Sequence, residues 1–184
     1  MRIDNAATHT VHNPEMRSGE KSTSWSTILS WVRFLALLLF IFFIFRYALG
    51  IVIVNGNSMN PTLNDNDIIL TNNIFFQAER NDVVIIGTNE GYDLVKRVIA
   101  LPNETVEIKN GIVLVNGNPL EEDYTTGLSN DMPKTVVAEG TYFVIGDNRT
   151  PGESLDSRSP EVGLIPYNII KGEAFFSIPT FRTL

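Results

Sequence analysis

The clearest pattern in the sequence is a long apolar run near the N-terminus. Residues 1–26 are polar, with Ser, Thr, Asn and charges of both signs, and this composition predicts a disordered tail. The nineteen residues from Thr27 to Phe45 carry a single charge, Arg33. As a helix they span about 28 Å, close to the hydrocarbon thickness of a bilayer. We therefore predict a cytoplasmic tail at residues 1–26 and one membrane-spanning signal-anchor helix at residues 27–46.

A cleaved secretory signal is the alternative interpretation of this run. Its uninterrupted apolar part, Phe34–Phe45, is only twelve residues long, and Ala48-Leu49-Gly50 presents small residues at the two spacings of a cleavage site. A retained anchor is favoured for two reasons. Arg33 can extend its charge to the interface, and the apolar character resumes directly after Arg46.

Charge is distributed unevenly along the chain. Residues 1–46 hold five basic and three acidic residues, a net charge of +2, whereas residues 47–184 hold nine basic and eighteen acidic residues, a net charge of −9. The basic residues before the apolar core predict a cytoplasmic N-terminus, with the acidic part on the extracytoplasmic face of the cell membrane. Because an acidic surface repels phosphate, nucleic acid is excluded as a partner, and membrane lipid is expected.

Residues 47–184 are patterned as short strands. Thr105–Lys109 and Ile112–Val115 flank Asn110-Gly111, a strong signal for a two-residue hairpin turn. Residues 118–140 are polar and are expected to form a long loop or an edge insertion on the hairpin, so that residues 104–140 make a β-hairpin with a loop insertion. No part of 51–184 has convincing helical periodicity, so we predict a mainly β fold with antiparallel sheets. Three further apolar runs predict strands, at Ile68–Leu70, Val83–Ile86 and Tyr142–Ile145.

The residue types that are missing narrow the possible chemistry. The chain has no cysteine, which excludes disulfides, thiol nucleophiles and cysteine metal sites. Its two histidines, His9 and His12, both lie in the polar tail. The body therefore has neither a Ser–His–Asp triad nor a histidine-ligated metal, and an enzyme built on it needs another base.

Two segments offer a nucleophile and a base. Residues 55–63, the serine segment, form a Gly- and Pro-containing turn directly after the apolar run and carry Ser58; an ordinary connector is the competing interpretation. Residues 92–99, the lysine segment, alternate so that Lys96 and Arg97 lie on opposite faces among apolar neighbours. An edge-strand lysine is the competing interpretation there. Desolvation lowers the pKa of a lysine, and the free amine can then activate a serine hydroxyl.

A third segment, residues 146–158, follows a predicted strand and is called the support loop here. It reads GDNRTPGESLDSR and is polar and rich in turn residues. A surface loop with local ion pairs is one interpretation. The other is that its hydroxyl and its Asp–Arg pairs hold a neutral lysine in place.

Taken together, the three segments resemble those of the bacterial type I signal peptidases. Three motifs match the order and spacing of that family over about residues 30–178. They are G-x-S-M-x-P-T-L after a membrane span, then K-R-V-I-x-L-P, then G-D-N-R…S-x-D-S-R. The single span and Gly56 are similar to the Gram-positive members. The resemblance implies a mainly antiparallel, barrel-like β catalytic domain at residues 47–184, preceded by one N-terminal transmembrane helix.

The resemblance also implies a role for each matching residue. Ser58 corresponds to the nucleophile and Lys96 to the general base of a dyad. Ser154 corresponds to the serine that positions the lysine amine, and Asp156 pairs with Arg158 to brace the site.

Three further positions take supporting roles by the same resemblance. Asp147 and Arg149 match positions that support the site without reacting. Gly56 stands where some members carry a serine that donates to the oxyanion, so a backbone group or water has to substitute for that side chain here.

Several positions depart from the family pattern. Four residues separate Arg149 from Ser154, where two are usual, and such an insertion can move Ser154 and Asp156 away from Lys96. Three usual glycines are replaced, by Asn81, Ala100 and Asn103.

The implied function is that of a membrane-bound serine endopeptidase, signal peptidase I, without metal or cofactor. Its expected substrates are exported preproteins with small residues before the cleavage site. The alternative is a degenerate or specialised relative that acts in surface-fibre (pilus) assembly, with sortase or pilus-type surface proteins as partners. A self-cleaving repressor and a non-catalytic binding domain are weaker rivals, because the first needs a DNA-binding module and the second leaves Lys96 exposed and charged.

Overall fold

The N-terminal part of the described chain is one long apolar helix. The computed structural model describes residues 25–74, 76–178 and 182–184. Helix α1, Trp25–Ala48, has 24 residues and is long and apolar enough to cross a membrane. It starts two residues before the predicted 27–46 segment and ends two residues after it, and the tail at residues 1–24 lies outside the described residues. The apolar residues after the helix form a strand rather than extending the anchor.

The larger of two antiparallel sheets carries most of the residues singled out from the sequence. It has eight strands in the order β1-β2-β11-β3-β4-β9-β10, with β12 paired to β11. The predicted strands at 68–70, 83–86 and 142–145 are confirmed as β2, β3 and β9. The strands of this sheet are β1 (Leu49–Ile53), β2 (Ile68–Asn72), β3 (Val83–Gly87), β4 (Asp93–Ala100), β9 (Thr141–Ile145), β10 (Ile165–Pro166), β11 (Ile170–Ile178) and β12 (Arg182–Thr183).

The smaller sheet is built around the predicted hairpin. Its order is β7-β6-β5-β8, with β5 at Thr105–Lys109, β6 at Ile112–Val115, β7 at Asn118–Pro119 and β8 at Met132–Val136. The Asn110-Gly111 turn is confirmed, and both residues have positive φ, 52° and 77°. Of the two alternatives for residues 118–140, an edge insertion on the hairpin describes Met132–Val136, where β8 pairs with β5 at the edge of the small sheet. Strand β8 is a mostly exposed edge strand, so its sequence lacks the apolar alternation of a half-buried strand.

The large sheet is covered by apolar side chains on both faces. Val84 and Ile86 of β3 pack in one core cluster, and Val83 and Ile85 pack in another. This burial on both faces explains why β3 reads as an unbroken apolar run. A third cluster joins Ile99 and Phe143 of the large sheet to the hairpin of the small sheet.

The topology brings the three sequence segments together. The serine segment connects β1 to β2, the lysine segment covers most of β4, and the support loop follows β9. Strands β4 and β9 are neighbours, and Arg97 lies opposite Ile145. The support loop therefore starts beside the buried part of the lysine segment.

Candidate active site

Ser58 and Lys96 lie in contact although 38 residues separate them. The Nζ atom of Lys96 lies 2.8 Å from Ser58 Oγ and donates to the carbonyl oxygen of Val95 at 2.9 Å. Lys96 is only 2% exposed, whereas Ser58 is half-buried. The base is thus shielded from water, and the hydroxyl next to it remains accessible to a ligand.

Burial sets the protonation state of Lys96. Desolvation lowers the pKa of its amine from 10.5 to about 8, against the opposing charge of Asp156. Arg158 also lowers this pKa, and Asp147 raises it. With this pKa, about a tenth of the molecules carry a neutral amine at pH 7, and that amine can accept a proton from the hydroxyl at 2.8 Å.

Buried neighbours position the serine segment. Met59 and Leu63 are 1% and 0% exposed and pack in the core cluster that contains Val83 and Ile85 of β3. The N–H of Leu63 donates to the Met59 carbonyl at 2.9 Å. The support loop holds the other side, because the backbone N–H of Asn148 donates to the Ser58 carbonyl at 3.0 Å and its side-chain amide donates to the Asn57 carbonyl at 3.2 Å. Sequence reasoning gave Asn148 no role, although it lies inside the quoted G-D-N-R motif.

Asp156 organises the C-terminal half of the support loop. It is completely buried and accepts hydrogen bonds from Arg158 Nε and Nη2 at 2.8 and 2.7 Å. It also accepts from the Ser154 hydroxyl at 2.6 Å and from the Gly146 N–H at 3.1 Å. The pairing of Asp156 with Arg158 is thus present, but the Ser154 hydroxyl is directed to Asp156 instead of Lys96.

Gly146 lies where the support loop meets the serine segment, and no role for it was expected from the sequence. A Cβ atom there would lie 2.3 Å from both Ser154 Oγ and the Ser58 carbonyl oxygen. These distances are below any real Cβ contact, so only glycine lets the serine segment and the support loop approach this closely.

The insertion between Arg149 and Ser154 does not displace the support loop from the lysine. Residues 150–153 form an exposed turn in which Glu153 N–H donates to the Thr150 carbonyl at 3.2 Å. The extra residues are therefore accommodated at the surface, and Asp156 stays near enough to affect the pKa of Lys96.

Asp147 and Arg149 are both buried and both paired. Asp147 accepts from Arg97 Nε and Nη2 at 2.8 and 2.6 Å, and Arg149 donates through both terminal nitrogens to Glu122, at 2.9 and 2.5 Å. Glu122 lies in the polar stretch between β7 and β8, where no motif pointed to a role. Its only sequence signal was its place in the acidic triplet Glu121-Glu122-Asp123.

Gly56 forms a turn, but its N–H is not free to donate a hydrogen bond to an oxyanion. Its φ of +89° is one that favours glycine, and its N–H donates to Asp65 Oδ1 at 2.7 Å. Since that N–H is already engaged, Gly56 does not supply a second oxyanion donor in this conformation.

A cleft of about 510 Å³ opens at the dyad. One wall is Val52–Asn55 with Ser58 and Met59, and the other is Tyr92–Lys96 of β4 and the turn before it. A cleft between a strand end and the start of another strand suits an extended peptide, which can pair with backbone groups on either side. Among residues 25–74, 76–178 and 182–184, no group of three His, Cys, Asp or Glu side chains is placed to hold a metal ion.

Comparison with known proteins gives a family for the chain. The model of the family described as "Signal peptidase, peptidase S26" matches residues 28–179. Signal peptidase I of Bacillus amyloliquefaciens is 37% identical over 147 residues, 72% of this chain and 75% of that protein. Signal peptidase IB of Staphylococcus aureus (strain COL) is 35% identical over 172 residues, 81% of this chain and 88% of that protein.

A crystal structure of a signal peptidase I from Enterococcus faecalis V583 is 29% identical in sequence, with a TM-score of 0.47. The match covers 54% of this chain and 97% of the Enterococcus chain. Because that match spans about half of the chain, the assignment rests on the sequence comparisons. The family model covers most of the chain and the apolar helix precedes the body, so the chain belongs to the signal peptidase family, peptidase S26, as a membrane-anchored serine peptidase that removes signal peptides from preproteins.

Proposed function

We propose that the chain cleaves preproteins with Ser58 as nucleophile and Lys96 as general base. The observation that carries this proposal is the 2.8 Å distance between Lys96 Nζ and Ser58 Oγ at the wall of an open cleft. A serine hydroxyl is a weak nucleophile until a base removes its proton, and the lowered pKa of Lys96 provides that base without a histidine.

The reaction proceeds through an ester of Ser58. Oγ attacks the scissile carbonyl carbon while its proton moves to Lys96 Nζ, and the resulting ammonium protonates the leaving amine. Water then enters, Lys96 removes one of its protons, and the hydroxide attacks the ester carbonyl. The acid product leaves and the proton returns to Ser58. The N–H of Ser58 is a donor for the oxyanion of both tetrahedral intermediates.

The remaining site residues keep the dyad in place. Arg158 pairs with Asp156 and lowers the pKa of Lys96, which offsets part of the opposite effect of that carboxylate. Ser154 supports the site through Asp156, to which it donates at 2.6 Å. Asp147 supports it through Arg97, and Arg149 through Glu122.

The substrate binds extended in the cleft. By resemblance to the family, small side chains occupy the first and third positions before the cut. The basic residues before the apolar core support a cytoplasmic N-terminus and an extracytoplasmic peptidase domain. With the family shown, a non-catalytic role in surface-fibre assembly is not favoured, and sortase or pilus-type partners stay a prediction.

The test is cleavage by the full chain in detergent micelles. A preprotein with alanine at the first and third positions before the cut is incubated with the wild type or with Ser58→Ala, and the products are analysed by mass spectrometry. We expect one cut after the alanine by the wild type and none by Ser58→Ala. Equal cleavage by the two proteins, or no cleavage by a folded wild type, would overturn the assignment.

A further inference from the structure

A short segment that connects two strands of the small sheet runs along the support loop. Residues 122–127, called the strap here, lie between β7 and β8. The N–H of Thr126 donates to the Asp147 carbonyl at 3.1 Å, and the N–H of Arg149 donates to the Thr126 carbonyl at 2.7 Å. Thr126 and Asn148 thereby form a parallel bridge outside either sheet.

Two strap side chains hold buried arginines. The ring of Tyr124 lies over the Arg97 guanidinium, with 4.1 Å from Cζ to the ring centroid, a favourable cation–π distance. Glu122 accepts from both terminal nitrogens of Arg149, whose side chain is only 3% exposed. The Tyr124 hydroxyl lies 3.3 Å from both Asn81 Oδ1 and Glu122 Oε1, which links the two contacts.

The fit between the strap and the support loop is close. A Cβ atom on Gly127 would lie 2.3 Å from Thr150 Oγ1 and 2.8 Å from the Thr150 nitrogen, and the φ of Gly127 is +76°. Only glycine satisfies both the conformation and the space at this position. Side chains, backbone and a glycine thus all bring the strap against the same loop.

The loop that the strap holds also holds the nucleophile. Arg97 pairs with Asp147, and Arg149 lies two residues further along the loop. The residue between them, Asn148, donates its N–H to the Ser58 carbonyl at 3.0 Å. A chain of direct contacts therefore leads from Tyr124 and Glu122 through the support loop to the backbone of Ser58.

We propose that Glu122 and Tyr124 are positioning residues for the peptidase reaction, and that the strap sets the position of Ser58 by holding residues 146–150 of the support loop. This inference rests on the proposed role of Ser58. The distance between nucleophile and base governs proton transfer, so a loosened support loop lowers the rate of the chemical step more than it weakens substrate binding.

The experiment compares Tyr124→Leu, which removes the ring, with Tyr124→Phe, which keeps it over Arg97. Glu122→Gln removes the charge that pairs Arg149. Val106→Ala, a core substitution in β5 away from the strap, is the control for a general loss of stability. Each full-length variant is assayed in micelles for kcat and KM per folded molecule, and amide hydrogen exchange is measured for residues 146–150.

We expect Tyr124→Leu to lower kcat about tenfold with KM little changed. Tyr124→Phe should retain most of the rate, and Glu122→Gln should resemble Tyr124→Leu. Amides at 146–150 should exchange faster in Tyr124→Leu and Glu122→Gln but not in Val106→Ala, even where Val106→Ala has the lower melting temperature.

The proposal is overturned if Tyr124→Leu and Glu122→Gln keep the wild-type kcat and exchange, or if Val106→Ala lowers kcat to the same extent. If Tyr124→Leu does not fold, Glu122→Gln decides. A wild type that fails to cleave, or a Ser58→Ala variant that cleaves, defeats the dyad assignment instead. The exchange data then still report whether the strap holds the loop.

Discussion

Lys96 and Arg97 are adjacent on β4, and both are almost completely buried, at 2% and 5% exposed, yet their surroundings shift their pKa values in opposite directions. Lys96 Nζ contacts two uncharged oxygens, Ser58 Oγ and the Val95 carbonyl. Arg97 instead forms two hydrogen bonds with the carboxylate of Asp147 and lies under the ring of Tyr124. One face of the strand thus holds a base, and the other holds a fixed ion pair.

The two neighbours show that burial alone does not decide a charge. Desolvation is the largest influence on the pKa of each residue and lowers both. For Arg97, the hydrogen bonds and charge of Asp147 outweigh it, and the pKa is raised. For Lys96, Asp156 has the largest opposing effect on the pKa, but Arg158 pairs with that carboxylate and lowers the pKa, so desolvation prevails. The partner of each cation therefore determines whether it acts as a base or as a brace.

The largest expected effect is on turnover, when Lys96 is replaced by a residue that is permanently charged. A guanidinium does not lose its proton in proteins, so Lys96→Arg should be as inactive as Lys96→Ala, with turnover reduced about 10⁴-fold. Steady-state cleavage of a signal-peptide substrate measures this, with circular dichroism as the check on folding. Wild-type turnover by Lys96→Arg would show that no neutral amine is needed.

Removing the carboxylate from the Arg97 face should mainly affect stability. Asp147→Ala leaves a buried guanidinium unpaired and is expected to lower the free energy of unfolding by about 3–5 kcal/mol. Urea denaturation in micelles measures the change. The control is Lys171→Ala at the exposed Lys171–Asp93 pair, where the side chains are 58% and 32% exposed and the loss should be at most about 1 kcal/mol. Equal losses for the two variants would contradict the contrast between buried and exposed pairs.

Lys96 itself should make stability depend on pH. Its pKa is about 8 in the folded chain and 10.5 when unperturbed, so between these values the unfolded chain binds the proton that the folded chain has released. Stability therefore rises from about pH 8 to 10.5, and below pH 8 the buried ammonium costs on the order of 3 kcal/mol.

Lys96→Met removes this cost and keeps an unbranched side chain. It should be more stable than the wild type at pH 7, and the difference should shrink toward pH 10.5. Urea denaturation of both proteins across this range gives the comparison. Parallel stability curves for the two proteins would mean that burial does not shift the pKa of Lys96.

The smallest of the four effects is the pH dependence of cleavage. Only the neutral amine acts as a base, so kcat/KM should increase roughly tenfold per pH unit below about pH 8 and level off above it. A fluorogenic peptide assayed from pH 6 to 9.5 measures the profile. Lys109→Ala, at an exposed position on β5 of the small sheet, should show the same profile, and a flat wild-type profile would exclude Lys96 as the titrating base.

Much of the fold was readable from local patterns. The hairpin at 105–115 follows from apolar runs around Asn-Gly, and β3 follows from an unbroken run of four β-branched residues. The sequence left a loop and an edge insertion open for residues 118–140, because a mostly exposed edge strand that contains Pro133 resembles a loop in sequence. Similarly, no polar residue separates the end of α1 at Ala48 from the start of β1 at Leu49, so the sequence could not show where the helix ends.

In the candidate site, too, the sequence indicated some features and only the tertiary structure determined the others. The absence of cysteine and histidine from residues 47–184 favoured a lysine as the base, and the resemblance of three motifs to those of the type I signal peptidases then pointed to Ser58 and Lys96. Linear order carries no information on which atoms meet. The 2.8 Å contact, the direction of the Ser154 hydroxyl, the closeness that requires Gly146 and the strap over two arginines arise only when distant segments pack together. The desolvation that makes Lys96 a base likewise belongs to the folded interior, since the same lysine in an open chain is a charged, hydrated ammonium ion.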